Sequence, residues 1–190
     1  MYENRNLVRR ILAGETHIFE KLVRNYQRLV SHIVFRMIPN EMDREDICQD
    51  VFIKVYQNLS NFRFDSKLST WIAKIAYNRC VNFLEKKKIP LFDDISEDEK
   101  AVERYAGNDP CPDEYTQARD LKKLLQREID KLPIQYRTII TLFHLEEMNY
   151  AEIGKITGLP DGTVKSYLFR ARKALRERLE SKYQPEELWK

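Results

Sequence analysis

From Thr16 the apolar residues Phe19, Leu22, Val23, Tyr26, Leu29, Val30, Ile33, Val34 and Met37 recur at three- and four-residue intervals until Pro39-Asn40 ends the run. That spacing places them on one face of a long amphipathic helix. A second stripe, Ile47, Val51, Val55 and Leu59, predicts a helix from near Asp43 to Ser60-Asn61. A third, with Ile72, Ile75, Ala76, Cys80 and Phe83 turned inward, is expected to use Ser66 or Ser69 as N-cap. It ends in Lys86-Lys87-Lys88, cations that suit the negative end of the helix dipole. With a short helix around Leu7 to Leu12, these segments form one bundle over residues 1–88.

Periodicity then lapses. Pro90, Asp93-Asp94, Glu97-Asp98-Glu99, Gly107-Asn108-Asp109-Pro110 and Pro112 mark residues 89–112 as an acidic, flexible linker. Helical pattern returns with Leu121, Leu124, Leu125 and Ile129, breaks at Leu132-Pro133, and resumes through Tyr136, Ile139, Ile140 and Phe143. The expected fold is therefore all-α, with two helical domains, 1–88 and 113–190, on either side of the linker.

The second domain carries a denser motif. Asn149 to Thr157 has room for a two-turn helix before Gly158-Leu159-Pro160, and Asp161 can cap a helix running to about Lys182. This reads as a helix-turn-helix, with Gly154 at a close helix crossing and Gly158 in a turn that needs positive φ. On the last helix Val164, Leu168, Ala171 and Leu175 share the inner face. Phe169 falls about 140° round from Val164 and is offered outward among Lys165, Ser166, Arg170, Lys173 and Arg176. An outward aromatic among cations suits contact with base edges and thymine methyls in a major groove.

Charge sharpens this picture. The net charge of +3 hides segregation: Phe62 to Lys88 carries seven basic and two acidic residues, Ile89 to Asp120 three and ten, and Asp161 to Lys182 seven and three. Two basic blocks on either side of an acidic connector fit two separate contacts with a polyanion. The helix of Ile47, Val51 and Val55 shows the opposite character, because its outer face exposes Ile53 among Asp46, Asp50 and Gln57, a composition that suits a protein partner.

Other classes drop away. No apolar run approaches the roughly 20 residues of a membrane span, and the N-terminal segment lacks the uninterrupted apolar stretch of a secretory signal, so a soluble, cytoplasmic protein is expected. Cys48, Cys80 and Cys111 are too far apart for a CxxC pair, and the two at helical positions read as small core residues. His17, His32 and His144 form no HExxH, and no phosphate loop or nucleophile motif occurs, so neither catalysis nor a cofactor is expected.

Three stretches together resemble the extracytoplasmic-function sigma factors of bacterial RNA polymerase. They are Asp46-Ile-Cys-Gln-Asp-Val-Phe-Ile-Lys-Val-Tyr56, Phe62-Arg-Phe-Asp-Ser-Lys-Leu-Ser-Thr-Trp-Ile-Ala-Lys-Ile-Ala-Tyr-Asn78, and Leu132-Pro133 followed by Gly162-Thr-Val-Lys-Ser166 and Phe169-Arg-Ala-Arg172. The resemblance covers nearly the whole chain. It implies that residues 1–88 are sigma region two, which binds core polymerase and melts the minus-ten element. Residues 113–190 would be region four, whose helix-turn-helix binds the minus-thirty-five element.

By the same resemblance, Asp46, Gln49, Asp50 and Ile53 bind polymerase, and Phe62, Asp65, Lys67, Trp71, Lys74, Asn78 and Asn82 contact minus-ten DNA. Lys165, Ser166, Phe169 and Arg170 read the upstream element; Lys173 and Arg176, which extend the same surface toward the C-terminal end of the helix, are expected on its backbone. The implied partners are core RNA polymerase, promoter DNA and a separate anti-sigma protein, soluble or membrane-anchored. Physical logic agrees, since capture of a single strand calls for aromatic stacking with basic backbone contacts, and duplex reading calls for a basic helix. The sequence departs from the family pattern at Gly154, Tyr167, Leu68 and Ser69.

Two rivals are weaker. An autonomous helix-turn-helix regulator explains residues 113–190 but leaves Phe62 to Asn78 without a role. A metal enzyme using Glu41, Asp43, Asp46 and Asp50 fails because these carboxylates spread around a helix.

Overall fold

In the computed structural model, which describes residues 2–91 and 117–182, Ile38 takes an extended backbone (φ −95°, ψ 114°), as the residue before a proline prefers. The helix before it, α2 (Thr16–Met37), stops there; α1 (Tyr2–Leu12) precedes it and starts earlier than the apolar residues Leu7 to Leu12 suggest. Helix α3 (Glu41–Asn58) begins immediately, because the Asn40 side chain accepts a hydrogen bond from the Met42 amide at 3.1 Å. Glu41 and Asp43 in its first turn favour the positive end of the dipole. A 3-10 turn (Leu59–Asn61) leads through a short loop to α4 (Leu68–Lys86).

Neither Ser66 nor Ser69 caps α4. The N-cap is Lys67, extended and without a side-chain cap bond, while the Ser66 hydroxyl donates to the Lys67 carbonyl oxygen at 3.3 Å. The loop is held by aromatic packing instead: the Phe62 ring lies 4.6 Å from Phe64 and 5.2 Å from Trp71. Phe64 adopts a left-handed backbone (φ 60°), with the Arg5 guanidinium 5.2 Å from its ring centroid. Farther along α4, Ile72, Ala76 and Cys80 are buried as expected, but Ile75 and Phe83 are only half-buried and Leu84 takes the inner position. A step of four from Cys80 keeps Leu84 on the stripe, whereas Phe83 falls to its flank.

Helices α2, α3 and α4 pack on one another around Leu22, Ile33, Met37, Val51, Val55 and Ile72, with α1 contributing Val8 and Ile11. Each such buried aliphatic side chain contributes about 1.5–3 kcal/mol.

The second group comprises α5 (Gln117–Asp130), α6 (Ile134–Ile140), a π-helical turn (Thr141–Leu145), α7 (Tyr150–Thr157) and α8 (Asp161–Lys182). Glu128 is almost fully buried and receives Lys131 at 2.9 Å, Arg178 at 3.3 Å and Lys182 at 3.3 Å, which ties α5 to α8. Helix α7 starts with a capping box: Asn149 Oδ1 accepts from the Glu152 amide at 2.9 Å, and Glu152 Oε2 accepts from the Asn149 amide at 3.1 Å. It ends at Gly158 in the left-handed conformation (φ 77°). A Cβ on Gly154 would stand 2.8 Å from the Leu159 carbonyl oxygen, so the turn can fold back onto α7 only over a glycine.

The two groups are in contact, with α6 against α2 and α7 against α4. Polar pairs cross the junction: Arg36 with Asp130 and, at 3.2 Å, with Thr141 Oγ1; His32 with Glu146; Lys67 with Glu152 at 2.8 Å; Tyr77 with Gln135 at 3.4 Å. Gln135 Nε2 is buried there without a hydrogen-bond partner among the described residues, as is Thr70 Oγ1 on α4. All ordered elements are helical or turn, with no strand among the described residues. Most of the acidic linker, 92–112, and Cys111 with it, lies outside the described residues. No helix among the described residues is long and apolar enough to cross a membrane.

Candidate nucleic-acid interface

Three exposed surfaces hold the residues singled out from the sequence. On α3, Asp46, Gln49 and Ile53 point to solvent, Ile53 being 52% exposed, because Ile47, Val51 and Val55 occupy the inner face. Two residues that the sequence reading passed over extend this stripe at both ends, Met42 and Tyr56, 85% and 48% exposed. Their signal was the spacing itself, since positions 42, 46, 49, 53 and 56 step by four and three along one face. Tyr56 packs edge-on against Phe19 of α2, with ring centroids 5.0 Å apart. Asp50 is set apart from the stripe: it is half-buried and accepts a hydrogen bond from Arg79 of α4.

The second surface belongs to α4 and the loop before it. Lys74, Asn78 and Asn82 are exposed along one side of the helix, and Asp65 and Lys67 are exposed at its start. Trp71 is half-buried against Phe62. Phe62, expected to meet an unpaired base, is instead buried at 7% exposure beneath Phe64 and Trp71. The reason is local, since the left-handed turn at Phe64 and the Leu59–Asn61 turn fold the Phe62 ring under the loop. Phe62 thus underlies the loop surface that Phe64 and Trp71 form. Lys67 is engaged by Glu152 of α7 at 2.8 Å, so the loop and the helix-turn-helix share one ion pair.

The third surface is α8. Val164, Leu168 and Ala171 are buried, which leaves Lys165, Ser166, Phe169 and Arg170 outward, with Phe169 69% exposed. The Ser166 hydroxyl donates to the Gly162 carbonyl oxygen at 2.9 Å, so its lone pairs remain to accept. Lys173 and Arg176 pair with carboxylates one turn on, Glu177 at 3.6 Å and Glu180 at 2.7 Å. Tyr167 packs on Tyr136 at 6.1 Å and belongs to the edge of the core. Arg172, quoted in the Phe169-Arg-Ala-Arg172 motif, is exposed and rests on Phe143 at 5.1 Å.

These surfaces suit binding by charge and stacking. Burial pushes the Cys80 and Cys48 thiols up, so neither is a ready nucleophile, and burial likewise raises the Tyr77 hydroxyl to about 12. Among the described residues no group of three or more His, Cys, Asp or Glu could hold a metal ion.

The sigma-70 region 2 family matches residues 22–89, and the sigma-70 region 4 family matches residues 122–175. The chain is 32% identical over 176 residues to the ECF RNA polymerase sigma factor SigW of Bacillus subtilis (strain 168), covering 90% of this chain and 94% of the relative. It is 36% identical over 183 residues to the ECF RNA polymerase sigma-E factor of Escherichia coli (strain K12), covering 94% and 93%. Two solved structures share the fold. CnrH, in complex with the cytosolic domain of CnrY, superposes with a TM-score of 0.66 at 19% identity, covering 94% of this chain and 98% of CnrH. The sigma factor RpoE in complex with the anti-sigma factor NepR from Bartonella quintana gives 0.64 at 22% identity, covering 87% and 98%.

Proposed function

The chain belongs to the ECF sigma factors of bacterial RNA polymerase, and on that premise we propose how its three surfaces divide the work of promoter-specific initiation. Sigma factors are regulatory rather than catalytic subunits, and this chain is an alternative sigma factor. In the proposed division, residues 1–88 act as region two, 89–112 as the connector and 113–190 as region four. The α3 stripe of Asp46, Gln49 and Ile53, with Asp50 beside it, docks on core polymerase. Asp65, Lys67, Trp71, Lys74, Asn78 and Asn82 hold the melted minus-ten strand over the platform that Phe62 supports. Helix α8 reads the minus-thirty-five element with Lys165, Ser166, Phe169 and Arg170, while Lys173 and Arg176 hold phosphates.

The observation that carries this reading is the outward placement of Phe169 among Lys165, Ser166 and Arg170, on a helix whose other face is sealed by Val164, Leu168 and Ala171. A 69%-exposed phenylalanine contributes nothing to the core, and a groove edge with thymine methyls offers it apolar contact. The role places the protein in the cytoplasm with its polymerase and DNA. A separate anti-sigma protein, soluble or membrane-anchored, fits as regulator, since RpoE was captured with the anti-sigma factor NepR and CnrH with the cytosolic domain of CnrY.

The direct test is transcription from a promoter library by purified core polymerase with and without this chain. Selected promoters sharing paired upstream and minus-ten motifs are expected; enrichment of an upstream motif without any dependence on core polymerase would favour an autonomous regulator. Within the selected upstream motif, Arg170→Ala is expected to relax preference at one base pair at a cost of about 1–3 kcal/mol. Lys173→Ala is expected to weaken all sequences alike.

A further inference from the structure

Among the described residues, Arg172 is the one cation of α8 with neither a carboxylate partner nor a proposed role. Its guanidinium lies 5.1 Å from the centroid of Phe143, and its Nε donates to His144 Nε2 at 3.1 Å. Phe143 stacks in turn on Tyr150, with ring centroids 5.4 Å apart and planes 20° from parallel. Tyr150 is the first residue of α7, while Phe143 and His144 belong to the π-helical turn. The π-helical turn therefore holds the arginine directly, and α7 backs that turn through Tyr150.

The position of Arg172 on α8 is at the edge of the groove side, between buried Leu168, about 40° away, and exposed Lys165. Seven residues separate it from Lys165, which at 100° per residue leaves the two within about 20° in projection. Phe169 and Arg176, three and four residues away, flank it on the same side. Lys173 and Arg176 each have a carboxylate one turn on, but Arg172 has no acidic partner among the described residues. Its neighbours are an aromatic face and a neutral imidazole nitrogen, so its charge is uncompensated. The four N–H groups beyond Nε have no protein acceptor among the described residues.

We propose that Arg172 is a preorganised clamp for a DNA backbone phosphate beside the bases read by α8, with Phe143 and His144 as its positioning residues. The proposal rests on the duplex-reading role of α8 and adds to it. In helix-turn-helix docking the first helix crosses the backbone, and Arg172 is held next to the start of that helix by Phe143, whose ring stacks on Tyr150, which sets the cation on the side where the phosphates pass. An arginine fork matches a phosphate bidentately, and one already ordered by stacking loses less side-chain freedom when it binds.

The test uses holoenzyme, full chain with core polymerase, on duplexes carrying the upstream element selected from a library or a scrambled version of it. Affinity is measured over a fourfold range of salt for wild type, Arg172→Ala, Arg172→Lys, Phe143→Leu and Lys165→Ala. Arg172→Ala is expected to weaken both duplexes by the same factor and to remove one counterion from the salt slope. Over that range its affinity then falls about three- to fourfold less than that of wild type. Arg172→Lys restores the slope, and Phe143→Leu weakens binding while leaving the slope intact, because the charge remains but its orientation is lost. Unchanged affinity and slope in both Arg172→Ala and Arg172→Lys, with Lys165→Ala still impaired, would overturn the clamp and leave α8 as reader. If Lys165→Ala is unimpaired as well, the duplex-reading role falls and the clamp with it.

Discussion

Lys67 Nζ lies 2.8 Å from Glu152 Oε1, and the same glutamate closes the capping box of α7 by accepting from the Asn149 amide at 3.1 Å. A lysine in the loop proposed to hold DNA is thus neutralised by the first helix of the helix-turn-helix. Lys67 cannot serve this carboxylate and a phosphate equally well at once. Glu152→Gln separates the two roles, since glutamine can still reach back to the Asn149 amide but carries no charge. Lys67 is exposed although Glu152 is largely buried, so the pair is worth on the order of 1 kcal/mol, and capture of a pre-melted minus-ten fork by the full chain is expected to tighten about two- to fivefold. Fluorescence anisotropy with a labelled fork measures it, and unchanged affinity would show that Lys67 is not contested.

Phe62 and Asn78 are expected to respond oppositely to truncation. Phe62 is buried among Phe64 and Trp71, so Phe62→Ala is expected to destabilise the chain by about 3–5 kcal/mol. Asn78 is exposed, and Asn78→Ala is expected to leave stability within about 0.5 kcal/mol while weakening capture of the non-template strand. Denaturant melts paired with fork binding distinguish them. A stable Phe62→Ala variant that loses only strand capture would return that ring to the outer surface.

For polymerase docking, Ile53→Glu is the cleaner probe. Ile53 is 52% exposed with no structural task, so the variant is expected to fold normally and to bind core polymerase about tenfold more weakly, as loss of an interface anchor would do. Met42→Ala and Tyr56→Ala at the ends of the stripe are expected to weaken it less. Asp50→Lys mixes two effects, because it also sets a cation against Arg79. Asp50→Asn retains an acceptor for Arg79 and reads the charge alone. Competition binding to core with circular dichroism controls provides the measurement, and full-strength binding by Ile53→Glu would remove α3 from the interface.

Glu128 makes the helix-turn-helix sensitive to acid. Burial pushes its carboxyl up, but hydrogen bonds from Lys131 and Lys182 outweigh that and hold it below its ordinary 4.5. The unfolded chain therefore binds this proton more readily than the folded one, and stability rises with pH across that window. The contribution is complete above about pH 4.5 and is lost as pH falls through the lower folded value. Glu128→Gln is expected to cost about 1.5–3 kcal/mol at neutral pH, the range for hydrogen bonds to charged groups, and to flatten the acid limb of thermal stability. An acid limb identical to wild type would assign it to other carboxylates.

What the sequence determined by itself is the part written in local periodicity and turn chemistry. Steps of three and four separated Ile47, Val51 and Val55 from Asp46 and Ile53, and Val164, Leu168 and Ala171 from Phe169, before any contact was known. Gly158 and Pro39 marked helix ends because their backbone preferences are intrinsic. Position within a loop was not legible in this way. Phe62 reads as an outer aromatic, and only the left-handed turn at Phe64 and the packing of Trp71 turn it inward. The pairs that join the two helical groups, Arg36 with Asp130, His32 with Glu146 and Lys67 with Glu152, lie some hundred residues apart or nearly so, and no periodic signal spans that distance. The same holds for the shelf of Phe143, His144 and Tyr150 beneath Arg172: each residue is ordinary in sequence, and the site exists only because the helix-turn-helix folds α7 and α8 onto one edge.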